Sequence, residues 1–202
     1  MKDHILRSFS YIFHPIIMPL LGVIFYFSKT RRYIPESIVE AKVFSILILT
    51  VVLPILLYFL LKTLKKITGP NLETVQERVL PLLISCGVTL LILFRVFPIT
   101  EIEELYFFFL AVLISTMSCL ILAKLGFKAS IHMLGCSGFL MFVIALSLHF
   151  KINFNGTIAL MSIISGAVAT SRLHMKAHTV PELIIGILLG MIPQLILLNY
   201  WL

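Results

Sequence analysis

A hydroxyl, a guanidinium, two imidazoles, an ammonium and a carboxylate fall within one short segment, Ser171-Arg172-Leu173-His174-Met175-Lys176-Ala177-His178-Thr179-Val180-Pro181-Glu182. The spacing gives several of them a task. His178 and Glu182 are four apart, so on a helix they share one face. A carboxylate there accepts a hydrogen bond from one ring nitrogen. That fixes the tautomer and leaves the other nitrogen as a nucleophile. Arg172 presents a planar fork of donors suited to phosphate. Ser171 adds a hydroxyl. Thr179 and Pro181 mark a helix start, whose N-terminal amides would lie near His178 and favour phosphate. Each residue alone also has a plainer reading. Thr179-x-x-Glu182 fits a capping box, in which Glu182 only closes the helix start. Arg172 and Lys176 alone are charges flanking an apolar stretch. His174 reads as an interfacial or loop residue.

The elements that must position this segment are membrane helices. Of 202 residues, 60% are hydrophobic and 12% charged, where a soluble domain sits at roughly 45–50% and 25%. This excludes a soluble enzyme, a disordered chain and a secreted disulfide scaffold. Seven apolar stretches stand out, roughly 9–27, 43–61, 82–97, 105–123, 131–150, 157–170 and 183–201. A spanning helix takes about 20 apolar residues, so the stretches use up the chain. The expected fold is all-α: a polytopic transmembrane helix bundle of six to seven spanning helices, a single integral membrane domain over 1–202. The third and sixth stretches are short and read as candidate part-spans buried in protein. The first is interrupted by Pro15 and Pro19. With no small-residue cleavage site after it, it reads as a retained first span. The Ser171–Glu182 segment lies between the sixth and seventh stretches. Such density of polar groups beside a membrane is costly unless it is used or well solvated.

The connections add detail. The longest polar one runs from Lys62 to Pro81, with a turn at Gly69-Pro70-Asn71 and a helix restart over Val75–Leu83. Tyr106, Phe107, Phe108 and Phe109 read as an interfacial aromatic belt. His14, beside Pro15, and His149 are polar groups in apolar runs, and both read as structural. Cys86, Cys119 and Cys136 lie in apolar runs without C-x-x-C spacing and read as small buried hydrophobes. The net charge is +7. Basic residues flanking spans account for part of it, and a site for an anionic substrate is the sharper reading. No basic segment is long enough to track nucleic acid. With seven passes, ten Lys and Arg fall on the N-terminal side (2, 7, 62, 65, 66, 78, 124, 128, 172, 176) and six on the other. Setting aside Arg78, Lys128, Arg172 and Lys176 as site candidates leaves six against six, so loop charge assigns no orientation.

Ser171-Arg172-x5-His178-x3-Glu182 resembles the third signature of the type 2 phosphatidic acid phosphatase superfamily, S-R-x5-H-x3-D, with Glu182 where the family usually has Asp. The resemblance implies that His178 takes the phosphoryl group, that Glu182 orients it, and that Arg172 and Ser171 hold phosphate oxygens. The second signature, P-S-G-H, is degenerate: Cys136-Ser137-Gly138-Phe139 has Phe where His belongs. His132, two spans before His178 and so on the same side, is the expected acid for the leaving group, with Lys128 a phosphate contact. An ordinary interfacial His at a helix start is the alternative. The first signature, K-x6-R-P, is weaker. Arg78 has Pro81 too late, and Asn71 stands at the Lys position. Arg78 is either a third phosphate ligand or a flanking charge. The resemblance covers about 72–202, the phosphatase-like core. It implies a membrane lipid-phosphate phosphatase or phosphotransferase working through a phosphohistidine. The substrate would be a phospholipid or polyprenyl phosphate reached from the bilayer, with no cofactor and no metal. A bacterial inner membrane is the expected location. The degenerate motifs keep a second reading open, a catalytically inactive lipid-binding or transport protein on the same scaffold. A structural subunit is a third.

Overall fold

The computed structural model describes residues 8–30, 32–67, 69 and 74–202. Lys2, Arg7, Arg31, Pro70, Asn71 and Glu73 lie outside them, and with them most of the Gly69-Pro70-Asn71 turn. The described chain is helical throughout, without a strand. Its helices are α1 (Met18–Lys29), α2 (Glu36–Leu47), α3 (Leu53–Thr63), α4 (Val75–Leu91), α5 (Glu103–Lys124), α6 (Ile131–Phe150), α7 (Asn155–His174) and α8 (Val180–Leu197). A π turn at Ile48–Val52 joins α2 to α3, and another at Ile92–Val96 extends α4. Six of the resulting helices are long and apolar enough to cross a membrane: Glu36–Thr63, Val75–Val96, Glu103–Lys124, Ile131–Phe150, Asn155–His174 and Val180–Tyr200. They fit an integral, multi-pass membrane protein.

The stretches expected to be short are full-length, because polar and small residues at their ends join the helix. Val75–Val96 and Asn155–His174 have 22 and 20 residues. The first stretch is the broken one. It is helical at 8–12, turns through 13–17 and restarts at Met18. Pro15 lacks an N–H donor and pushes His14 before it out of the helical region, whereas Pro19 sits in the first turn of α1, where its missing N–H costs nothing. The 12 residues of α1 reach only about 18 Å, short of a roughly 30 Å hydrocarbon core. Six full-length helices with a shorter, interrupted first one fit the expected six to seven.

Phe107, Phe108 and Phe109 are buried, which corrects the interfacial-belt reading. Phe108 stacks on Phe142 with ring centroids 4.3 Å apart, and Phe97 on Phe109 at 5.5 Å. Consecutive aromatics on α5 point to different neighbours because α5 is packed on several sides, including α4 and α8. Cys86, Cys119 and Cys136 are free and buried, as their apolar neighbours implied.

The closest helix pair is α6 with α8. A Cβ on Gly190 would collide with Ser137 Oγ and the Leu134 carbonyl, and one on Gly186 with the Ser130 carbonyl. Small residues four apart let two backbones approach this closely. Ser137 Oγ then donates to Ile187 O at 3.0 Å. The pair matters for function because α6 begins beside His132 and α8 beside His178.

Candidate functional site

Every helix start and end around the site is finished by a local signal. Thr74 Oγ1 accepts from Glu77 N at 3.3 Å at the head of α4. Ser130 Oγ accepts from Met133 N at 3.5 Å at the head of α6. Thr179 and Glu182 form a capping box at the head of α8. The end of α7 closes with Ala177 N–H on Arg172 O and Lys176 N–H on Leu173 O, with Lys176 at φ +52°. This is a Schellman arrangement with lysine where glycine is usual. It reverses the chain so that His178 faces back over the end of α7. Lys128 Nζ donates to Ala177 O at 3.1 Å, and Ser130 N–H to Glu182 O at 3.0 Å, which ties the reversed turn to α6.

Around this turn the fold gathers residues far apart in sequence. His178 Nδ1 lies 2.8 Å from Glu182 Oε2. The same oxygen accepts Thr179 N–H at 3.0 Å. Glu182 therefore caps the helix and holds the imidazole at once, so the two sequence readings of this residue describe one carboxylate. Because the carboxylate accepts, Nδ1 carries the proton. Nε2 is left as the acceptor, and Arg78 NH2 reaches it at 3.5 Å. Arg78 is 2% exposed and donates through NH1 to Ala129 O at 2.8 Å. Arg172, also 2% exposed, has its Nε buried with no hydrogen-bond partner among the described residues. Unpartnered buried donors are rare and costly.

Burial depresses the His178 pKa to about 4; the Glu182 hydrogen bond opposes this, and the charges of Arg78 and Arg172 reinforce it. The imidazole is neutral at neutral pH, with its lone pair toward Arg78.

The N-terminal segment completes the site. His132 Nε2 lies 3.2 Å from Ser10 O, so this nitrogen donates. Ser10 Oγ and Ser171 Oγ are 2.7 Å apart. The His14 ring meets His132 edge-on at 5.1 Å. Nothing in the sequence marks Ser10, whose partners lie more than a hundred residues away. His14 carries a signal, an imidazole in an apolar run, and it lines the cavity beside His132.

His14, Arg78, His132, Arg172 and His178 share the wall of one cavity of about 400 Å³. From this cationic end the cavity runs between the α2–α3 helix and α4, past Leu49, Pro54 and Tyr58 on one side and Leu82 and Val88 on the other. The rest of its lining is largely apolar. Leu56, Phe59 and Leu60 of α3 are exposed beside it. Of the residues singled out from sequence, Arg78, His132, Arg172 and His178 meet at the cavity. Glu182 stands behind His178. Ser171 and Lys128 do not line it; their polar atoms bond Ser10 and the Ala177 carbonyl. Among the described residues, no three His, Cys, Asp or Glu side chains gather as a metal-binding group.

Compared with known proteins, the sequence matches no family model and no curated sequence, and the structure matches no solved structure.

Proposed function

We propose that the chain is a membrane lipid-phosphate phosphatase or phosphotransferase of the type 2 phosphatidic acid phosphatase superfamily, acting through a phospho-His178 intermediate. The observation that carries this reading is a neutral, tautomer-fixed imidazole whose Nε2 faces the buried guanidinium of Arg78, with buried Arg172 on the same cavity wall. Phosphoryl transfer asks for that set: a nucleophile in line and fixed positive charge for the equatorial oxygens. Arg172 Nε is a donor waiting for an acceptor.

In the first step the Nε2 lone pair attacks phosphorus and the ester P–O bond breaks. The leaving oxygen takes a proton from His132. Nε2–H of that residue is engaged with Ser10 O, so the transferred proton is one that Nδ1 first takes from the P–OH of a monoanionic phosphate ester. In the second step water attacks phosphorus, the P–N bond breaks, and the water proton passes through Nδ1 of His132 to the departing phosphate. The net reaction is ester plus water to alcohol plus phosphate. Ser171 and Lys128 act by bracing the N-terminal segment and the Schellman turn. A phospholipid or polyprenyl phosphate would reach His178 from the bilayer, along the gap beside α3. The bacterial inner membrane belongs to the same proposal.

The test is phosphate release from a panel of lipid phosphates in detergent, run beside His178→Ala. Release that falls by at least about a thousandfold in the variant is expected, since the attacking group is lost. Undiminished release in the variant overturns the reading. A second reading, binding or transport without turnover, is favoured by one observation: Phe139, buried in the cavity wall, stands where the family's second signature has its histidine. It predicts saturable lipid binding that leaves phosphate in place and ignores His178.

A further inference from the structure

The cavity is not uniformly greasy beyond the cationic end. Thr50, Thr89, Ser115, Thr116 and Gln194, from four different helical elements, line its deeper part. Thr89 lies eleven residues after Arg78 on one helix, about 16 Å along its axis. Gln194 lies sixteen residues after His178, roughly 20 Å down α8 and its entry turn. These side chains therefore sit near mid-membrane, where a polar group needs a reason.

Helix-internal bonding accounts for only half of their capacity. Thr50, Thr89 and Thr116 each donate to the carbonyl four residues earlier, and Ser115 donates to Leu189 O at 2.7 Å. Each hydroxyl proton is thus committed, and the oxygen lone pairs remain to accept. Gln194, 3% exposed, gives one N–H to Phe108 O at 3.3 Å. The side-chain amide has a second N–H and a carbonyl oxygen as well. The wall of the chain-binding part of the cavity is therefore rich in acceptors, with an amide that can both give and take.

An unsubstituted hydrocarbon chain leaves the spare lone pairs of these hydroxyls and the remaining amide groups of Gln194 unused, and a chain carrying a hydroxyl engages them. Building on the lipid-phosphate reading, we propose that the preferred ligand is a phosphorylated lipid whose acyl chain bears a hydroxyl group near its middle. That hydroxyl would lie between Thr89 and Gln194 while the phosphate sits between Arg78 and Arg172. A polyprenyl phosphate, which has no such group, would be the poorer ligand.

The probes are three lysophosphatidates with the same chain length: stearoyl, stearoyl hydroxylated at mid-chain, and stearoyl hydroxylated next to the ester. Each is assayed for phosphate release and, separately, for displacement of a fluorescent lysophosphatidate. The mid-chain hydroxyl should improve kcat/KM and displacement about five- to tenfold over the other two, the effect of one buried hydrogen bond. In Gln194→Leu and in Thr89→Val the ratio should fall toward one. Two variants on different helices guard against a folding defect in either. Equal treatment of the three lipids by the wild type overturns this inference and leaves the lipid-phosphate reading standing. Displacement with the mid-chain preference but no release supports the inference and removes catalysis. No displacement by any of the three overturns both.

Discussion

Glu182→Gln separates a capping role from a chemical one. In the structure one oxygen, Oε2, accepts from both His178 Nδ1 at 2.8 Å and Thr179 N at 3.0 Å. A glutamine carbonyl has two lone pairs and can accept both. The cap and the imidazole tautomer are therefore retained, and only the negative charge is lost. Stability should change by no more than about 0.5 kcal/mol, whereas Glu182→Ala should lose about 1 kcal/mol with the cap. The rate behaves differently. As Nε2 bonds to phosphorus, the ring gains positive charge, and the bond from Nδ1–H becomes charge-assisted only if the acceptor is a carboxylate. A bond to a charged group contributes about 1.5–3 kcal/mol and a neutral one about 0.5–1.5. The difference, roughly 1–1.5 kcal/mol, slows phosphorylation of His178 by about tenfold. The sign of the pH effect also follows. Glu182 raises the His178 pKa against burial, so the glutamine variant should carry a pKa still lower than about 4. The acid limb of kcat/KM moves down, not up. The assay is phosphate release against pH, with thermal stability in detergent measured on the same preparations. Wild-type kcat in Glu182→Gln, together with lost stability in Glu182→Ala, would refute the chemical role and leave only the cap.

Three further outcomes follow. His178 is neutral in the fold, with its pKa lowered to about 4 from 6.5. The unfolded chain binds that proton more readily, so this contribution to stability is complete above about pH 6.5 and is lost as pH falls toward about 4. It is worth up to roughly 3 kcal/mol. Denaturant titrations across that window should show the slope in wild type and lose it in His178→Phe. Arg172→Lys keeps a charge and removes the planar fork, so kcat/KM for a lipid phosphate should drop about ten- to a hundredfold, with a matching loss of vanadate inhibition; unchanged inhibition would place the phosphate elsewhere. Gly190→Ala should lower the thermal midpoint, since the added methyl meets α6 backbone and overpacking costs about 1–3 kcal/mol. Gly87→Ala, whose new methyl meets nothing within 4 Å, is the control expected to keep it.

What was legible in the sequence was local. Glu182 and His178 are one helical turn apart, and the capping and nucleophile-orienting readings both depend only on that spacing. Hydropathy is also local, and it found the long helices. The rest required knowing which faces meet. The first stretch has the composition of a span, but Pro15 ends its first helical piece and Pro19 opens the next, and both pieces meet α6. Composition counts Phe107, Phe108 and Phe109 as it would any aromatic run, and only packing on several sides of α5 makes them core. The phosphatase-like core was bounded at about 72 because the motifs begin there. Ser10 and His14 lie outside that limit and still touch Ser171 and His132, contacts that no spacing rule reaches. Lys128 and Ser171 were chosen for chemical type, and in three dimensions their polar atoms are directed to a carbonyl and a hydroxyl rather than to the cavity.

The two ends of the bundle make opposite use of buried charge. Near the start of α5, Glu104 is 5% exposed and receives Arg32 NH1 at 3.0 Å and Tyr26 OH at 3.0 Å, with His149 Nε2 at 3.7 Å. Close by, Lys42 pairs with Glu101 at 2.6 Å. Every charged member of that cluster faces one of opposite sign, which is how a buried ion pair offsets its desolvation. It locks α1, the α1–α2 connection and α5 together. At the other end of α5, some 30 Å away by helix length, Arg172 is as deeply buried and its Nε has no partner among the described residues. The guanidinium of Arg78 acts on it through space, and among the described residues Glu182, behind the cavity wall, is directed to His178 and the α8 cap. On the lipid-phosphate reading proposed above, the acceptor that Arg172 Nε lacks among the described residues is a phosphate oxygen of the substrate.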